Sequence, residues 1–309
     1  MTLELPQALT NEQNFCRDST LPICNILIPR SMQNQPPGSA YEDIGACVLH
    51  GISLGGGRYL ANLGTIIVDG LAILATLLLL WRSNRKAAAV GRREMQIFLL
   101  GFLLISICEI FSVGGFPLSD AVRRGFSAAH IAMITTTFYV LFLNGLVGYQ
   151  ILDDGTFISV GIILLTAAIV FIGTGYIALD TAFSWTNYWS GDSYGPLHRN
   201  IALYVLYQLC PLIFMFLYFI LESVLVLRVL GEKRPMIWLW CAALLFAIGQ
   251  IFQYVISIHI CRPTNGAIDG NFFQALFNLL SVITIWIFWS SITEDDWPAA
   301  ETYRHEGSL

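Results

Sequence analysis

Two pairs of amides interrupt an otherwise apolar stretch from Leu244 to Asp296: Gln250 with Gln253, three apart, and Gln274 with Asn278, four apart. Spacings of three and four put side chains on one face of a helix, so each pair is expected to share a face. Upstream, Asp69, Glu109, His130 and Gln208 interrupt further apolar runs. Carboxylates, an imidazole and amides are the raw material of acid–base or metal chemistry, and ionisable groups inside membrane segments are functional candidates by default. The competing expectation is structural: polar groups in hydrocarbon need partners, and hydrogen bonds among these would fix helix packing.

Specific chemistries can be tested by residue type. A retinal Schiff base needs a lysine within the bundle, whereas Lys86 and Lys233 both lie in basic stretches between apolar runs. A zinc hydrolase needs clustered histidines; HExxH is absent, and His50, His130, His198 and His259 show no ligand spacing. No GxSxG elbow presents a nucleophile. Ser53-Leu54-Gly55-Gly56-Gly57-Arg58 lacks the GK[ST] ending of a phosphate loop and reads as a flexible lead into the first apolar run. A G-protein-coupled receptor would carry an acidic-Arg-aromatic triplet after its third helix and NPxxY in its seventh; NGLVGYQILDDG and the last apolar run contain neither. These residues therefore imply no catalytic group, no cofactor, no metal and no nucleic-acid partner. An intramembrane hydrolase or small-ligand receptor built around Asp69, Glu109 and His130 remains the alternative reading.

The elements that must position these residues follow from composition. Of 309 residues, 56% are hydrophobic and 12% charged, about half the charge of a typical soluble domain. A membrane-spanning helix needs roughly 20 mostly apolar residues. Seven such runs are present: 61–81, 95–113, 127–148, 157–179, 201–227, 236–258 and 271–289. The expected fold is an all-α integral membrane bundle of seven transmembrane helices. Three segments follow: a lumenal segment over 1–60, the bundle over 61–290, and an acidic tail over 291–309. Arg82, Arg85, Lys86, Arg92 and Arg93, with Arg228, Lys233 and Arg234, lie on one side, against Arg123, Arg124, Arg199 and Arg262 on the other. Basic residues favour the cytosolic side, so the N-terminus is expected to be lumenal and the C-terminus cytosolic. The first residues lack a basic region followed by an apolar core, so the first apolar run is expected to act as the targeting signal.

On that topology Cys16, Cys24, Cys47 and Cys261 all face an oxidising compartment, and two disulfides are expected among them, with three possible connectivities. A bridge from the N-terminal segment to Cys261 would pin that segment over the end of the last two helices. Cys108, Cys210 and Cys241 fall inside helices as packing residues. Depth places Asp69, Glu109, His130, Gln208, Gln250, Gln253, Gln274 and Asn278 in the lumenal half of the membrane. Helix three is read as opening with His130 near the lumenal face. These residues form a polar layer suited to internal bonding or to client contact. Pro211 is expected to kink the fifth helix and free a carbonyl near Gln208. The fourth run is almost pure hydrocarbon and reads as peripheral.

Short motifs carry a resemblance. They include Cys16 with Leu21-Pro22-Ile23-Cys24, and Ala89-Val90-Gly91-Arg92-Arg93-Glu94. A third is Asn144-Gly145-Leu146-Val147-Gly148, followed by Asp153-Asp154-Gly155-Thr156. The most specific are Gly249-Gln250, Ile260-Cys261, Ile268-Asp269-Gly270 and Ser291-Ile292-Thr293 with Asp295-Asp296. In order and spacing they resemble the fungal chitin synthase export chaperone family, and the chain looks like a divergent member. Arg262-Pro263 follows Cys261 where the family has Glu, and Gly114-Gly115-Phe116-Pro117 replaces a Pro-Pro-Gly motif after helix two. The resemblance implies a non-enzymatic chaperone of the endoplasmic reticulum membrane. Its partner would be a chitin synthase catalytic subunit, a membrane glycosyltransferase, alongside the lipid bilayer itself. Its role would be to support chitin synthesis and cell wall assembly. The acidic Glu294-Asp295-Asp296 would then be available to vesicle export machinery.

Overall fold

A computed structural model describes residues 16, 19–27, 49, 51–55, 58–86, 89–114, 119–150, 155–186, 188–189 and 201–293. Among these, seven helices are long and apolar enough to cross a membrane. A short helix, α1 (Pro22–Leu27), precedes an antiparallel pair of strands, β1 (Ile52–Gly55) and β2 (Arg58–Leu60). The long helices are α2 (Leu63–Arg85), α3 (Arg92–Ser112), α4 (Asp120–Val147), α5 (Phe157–Phe183), α6 (Ile201–Leu230), α7 (Arg234–Cys261) and α8 (Gly270–Ile292). Each matches one apolar run and most extend it by a turn or more, because polar residues continue a helix once hydrocarbon has nucleated it. The extension is largest in α4, which starts at Asp120, so His130 sits roughly 15 Å inside the helix rather than at its mouth. The glycine-rich stretch before α2 also differs from the expected flexible lead, since Ile52 pairs with Leu60 and Ser53 with Tyr59.

Helix α4 is the axis of the bundle. It packs on α3, α5 and α6, and more of its length is buried than that of any other span. Helix α8 fills a similar place between α7 and α2. Helix α5 lies at the periphery, with Ile158, Leu165, Ile169 and Ile172 on the outer surface.

Helices α6 and α7 each contain a π-helical turn near the α1 end, at Val205–Leu209 and Phe252–Ile256. The first answers Pro211, which has no N–H to donate one turn back. The Cys210 amide reaches the Val205 carbonyl instead, and Thr135 Oγ1 donates to the Leu206 carbonyl at 2.8 Å. The proline thus yields a π-turn whose loosened backbone is taken up by a neighbouring helix.

Helix α1 is not a surface segment. Leu21, Ile23, Cys24, Ile26 and Leu27 are buried against Ala128, Ile131, Ala178, Ala182 and Leu203 of α4, α5 and α6. A disulfide between Cys16 and Cys24 closes the turn leading into it. Cys261 is also disulfide-bonded, Cys47 lies outside the described residues, and Cys108, Cys210 and Cys241 are free thiols.

Candidate functional site

Two hydrogen-bonded clusters close the two ends of the bundle, and a cavity lies between them. At the α1 end, Asn62 and Asp269 are the N-caps of α2 and α8. Asn62 Oδ1 accepts from the Thr65 amide and Asp269 Oδ1 from the Phe272 amide, as side-chain N-caps do. Asn62 Nδ2 then donates to Asp269 Oδ1 at 2.9 Å, joining the caps. Asp269 Oδ2 accepts from the Thr20 hydroxyl, and Gln253 Nε2 donates to the Thr20 carbonyl, so Thr20, two residues before α1, is held from both sides. Burial pushes the Asp269 carboxyl above the usual range, while the bonds from Thr20, Asn62 and the Phe272 amide pull it down. Gly270 has no room for a side chain: a Cβ there would fall 2.2 Å from the Phe252 carbonyl oxygen. Its amide instead meets Ser257 Oγ at 3.1 Å.

Deeper in, several of the expected polar residues pair, while Asp69 Oδ2 and Asn278 Oδ1 have no hydrogen-bond partner among the described residues. Asn271 Nδ2 donates to Glu109 Oε1 at 3.0 Å and to Thr65 Oγ1 at 3.3 Å. Asp69 is buried beside Glu109. His130 Nδ1 and Ser112 Oγ are 2.9 Å apart, and Asn25 of α1 donates to Ser127 Oγ and to the Ser112 carbonyl. Tyr254 donates to Gln208 at 2.6 Å, and Gln274 to Gln250 at 3.4 Å. Gln250 and Gln253 do not act as one pair. Gln253 is fully buried against Thr20, whereas Gln250 faces the cavity. The π-turn that starts at Phe252 changes the register between them. Among the described residues no three His, Cys, Asp or Glu side chains gather to hold a metal ion.

At the opposite end the centre is Glu94, fully buried although it follows two arginines. Its Oε1 accepts from the Gly155 amide and from Ser159 Oγ, both at 3.0 Å. Gly155 has φ +66°, in the left-handed region that favours glycine, and Thr156 caps α5 by accepting from the Ser159 amide. Asn144 donates to the Glu94 carbonyl. Trp289 of α8 donates to the Val90 carbonyl at 2.9 Å, beside Gly91. Arg92 reaches the Asn84 carbonyl. Gly148 closes α4 with its amide on the Asn144 carbonyl. Asp154 and the acidic run 294–296 lie outside the described residues.

Sequence reasoning passed over Thr20, Asn62 and Asn271, and met Glu94 only as the last residue of a family motif. Asn62 and Asp269 carried a legible signal, a short polar residue directly before a helix. Glu94 carried none of its own, since a glutamate in a basic loop reads as solvated.

The cavity, of about 410 Å³, lies among α3, α4, α6, α7 and α8. Glu109, His130, Gln208, Gln250, Asn271 and Gln274 line it towards the α1 end, where Pro22 also reaches it. Aromatic and aliphatic side chains form most of the remaining wall. Gly249 brings α7 close to α8 beside it, against Phe277 and Asn278.

Fold and site together define a multi-pass membrane protein in which the polar residues bind the helices and an N-terminal plug to one another. A family profile described as chitin synthase export chaperone matches residues 8–302. The chain belongs to the chitin synthase export chaperone family. It is 30% identical over 298 residues to the chitin synthase export chaperone of Aspergillus fumigatus, a match covering 92% of this chain and 82% of that protein. The proteins of the same name from Aspergillus clavatus and Coccidioides immitis are 29% and 28% identical, each match covering 92% of this chain and 82% of the relative. No solved structure matches the chain. The departures noted in sequence, at Arg262-Pro263 and around Gly114, fall within a match that still spans nearly the whole chain.

Proposed function

We propose that this chain is a non-enzymatic chaperone of the endoplasmic reticulum membrane that assists folding and export of a chitin synthase catalytic subunit, and so supports chitin synthesis and cell wall assembly. The observation that carries this is the family match over residues 8–302, with relatives bearing that name. The geometry is in keeping with it. Of the residues that an intramembrane hydrolase would use, Glu109 and His130 are taken up in hydrogen bonds that join α1, α3, α4 and α8, and Asp69 of α2 is buried beside Glu109.

In the proposed topology the α1 end is lumenal. The basic residues support this, because Arg82, Arg85, Lys86, Arg92, Arg93, Arg228, Lys233 and Arg234 lie at or beyond the opposite helix ends. The disulfides support it too, since Cys16–Cys24 and Cys261 sit at the α1 end. Residues 1–60 then form a lumenal segment tied into the bundle of 61–290, and residues 291–309 a cytosolic tail whose Glu294-Asp295-Asp296 is offered to vesicle export machinery. The client would dock on the outward apolar faces of the peripheral helices. The bundle itself, closed at both ends by hydrogen-bonded clusters, supplies a stiff template.

Deleting the gene in the fungus that encodes it, and locating membrane glycosyltransferases, tests the proposal. Chitin synthase should be retained in the endoplasmic reticulum and chitin in the wall should fall. A synthase that reaches the cell surface normally would overturn it.

A further inference from the structure

We propose that the central cavity is a binding site for an amphiphilic amine from the bilayer, its ammonium group at Glu109 and its single apolar chain along the cavity. Three observations converge. The first is charge. Glu109 lines the cavity and retains accessible surface although it lies inside the bundle, about 5 Å from the α1 end of α3 by helix rise. Its Oε1 accepts from Asn271, and its Oε2 has no hydrogen-bond partner among the described residues. Asp69 and Asp269 are close enough to act on its charge, so three carboxyls gather at this end of the bundle. No lysine or arginine lines the cavity, and Arg123 and Arg124 are paired with Asp120. Carboxyls so placed repel one another when ionised, and a cation beside Glu109 relieves that repulsion.

The second observation decides which kind of cation fits. Among the described residues these groups do not converge closely enough to hold a metal ion, so the cation must bring its own N–H donors. An ammonium carries three. Glu109 Oε2 can accept one, in the charge-assisted bond that is the strongest of its kind. Gln274 also lines the cavity, and because its amide nitrogen donates to Gln250, its carbonyl oxygen can accept a second. An alcohol would meet the same acceptors without the charge, and a phosphate would be repelled.

The third observation is shape and access. Along α6 the cavity wall runs from Tyr207 to Phe219, about 18 Å by helix rise. A volume of about 410 Å³ spread over that length is narrow and suits one chain rather than the two of a phospholipid. Beyond the acidic end the wall is apolar, with Phe102, Phe138, Leu141, Phe246, Val282 and Ile285 around the space. Phe216 of α6 and Trp240 of α7 line the cavity and are also more than half exposed on the outer surface. Helices α6 and α7 touch sparsely and meet at the Phe219–Trp240 ring pair, centroids 4.8 Å apart. A chain entering sideways there lies along the cavity and leaves its ammonium near the end of α3, where a charge costs less than at the bilayer centre.

The test uses the full chain purified in mild detergent and reconstituted into phosphatidylcholine nanodiscs with a photoactivatable long-chain primary amine. Labelled peptides are identified by mass spectrometry. Labelling is expected on cavity-lining residues of α3, α4, α6, α7 or α8, and should be outcompeted by unlabelled amine but not by the alcohol of the same chain length. Glu109→Gln keeps an acceptor for Asn271 and removes the charge. It should cut labelling roughly tenfold, as loss of one charge-assisted hydrogen bond implies. Its melting temperature should be unchanged or higher, because a like charge is removed from beside Asp69 and Asp269. Ala243→Phe fills the space from the cavity wall, keeps the acidic end, and should abolish labelling independently. Competition by the alcohol equal to that by the amine would overturn the proposal. So would labelling confined to the outer surface, or labelling unchanged in Glu109→Gln. Displacement by sodium chloride but not by equal choline chloride would assign the acidic end to a metal ion, and would overturn it too.

Discussion

Asn62 and Asp269 cap the first and last membrane helices, α2 and α8, and the amide of one donates to the carboxylate of the other at 2.9 Å. Helix ends leave backbone N–H groups unpaired, and each cap satisfies one of them. Bonding the caps to each other converts two local solutions into one long-range tie. Thr20 joins the same carboxylate, so the N-terminal segment, the first helix and the last meet at one buried acid.

Asp269→Ala is accordingly expected to destabilise the protein by at least about 2 kcal/mol, since donors from Asn62, Thr20 and the Phe272 amide lose an acceptor together. Thermal unfolding in detergent measures it. Asp269→Asn can keep Oδ1 for Asn62 and the Phe272 amide and turn its NH2 to the Thr20 hydroxyl, which accepts as well as donates, so it should cost less than Asp269→Ala.

A pH dependence follows from the same residue. Burial holds the folded Asp269 carboxyl above its ordinary value, so the folded state binds its proton more tightly than the unfolded chain does. Its contribution to stability is then fully present below about pH 3.9, the ordinary aspartate value, and is lost as pH rises through the raised folded value. Unfolding scans across that window should show a decline with rising pH in the wild type that is flattened in Asp269→Asn. An equal slope in both proteins would assign the dependence to another group.

How much of this could be read beforehand differs from element to element. The seven helices were legible because about 20 apolar residues in a row admit few other structures. Gln274 and Asn278 line one cavity, as a four-residue spacing implies. Gln250 and Gln253 part company because a π-turn intervenes, and no residue in Phe252–Ile256 announces i→i+5 bonding. The burial of α1 was hidden for a different reason. Six residues, PICNIL, are too short to show a helical period, and only the partners on α4 and α5 make them core. Glu94 was hidden because its partners, Gly155 and Ser159, lie more than sixty residues away.

Glu94 should be the corresponding weak point at the other end. Glu94→Ala removes the acceptor for the Gly155 amide and Ser159 Oγ, with an expected loss of about 2–3 kcal/mol by the cost of unpaired buried donors. Gly155→Ala keeps both bonds but forces a side chain into φ +66°, for roughly 1 kcal/mol. Equal losses in the two variants would mean that the turn conformation, rather than the carboxylate, holds the start of α5 against α3.

The disulfides make the last prediction. Cys16 and Cys24 are eight residues apart, a short loop whose closure contributes about 2.5 kcal/mol in the chain-entropy model. Cys108, Cys210 and Cys241 are free, and Cys261 is bonded. Of the seven cysteines this leaves Cys47 as the expected partner of Cys261. Peptide mapping without reductant should recover a 16–24 link and a 47–261 link. The two bonds should also behave differently. Cys16→Ser should loosen only the entry to α1, because burial of Ile23, Ile26 and Leu27 holds the helix itself. Cys261→Ser should free a far longer stretch of chain from the α7–α8 corner. Limited proteolysis on the α1 side separates these outcomes: new cleavage before residue 19 in the first variant, and between α1 and β1 in the second. Cleavage within α1 in the first variant would show that the disulfide, and not packing, seats the plug.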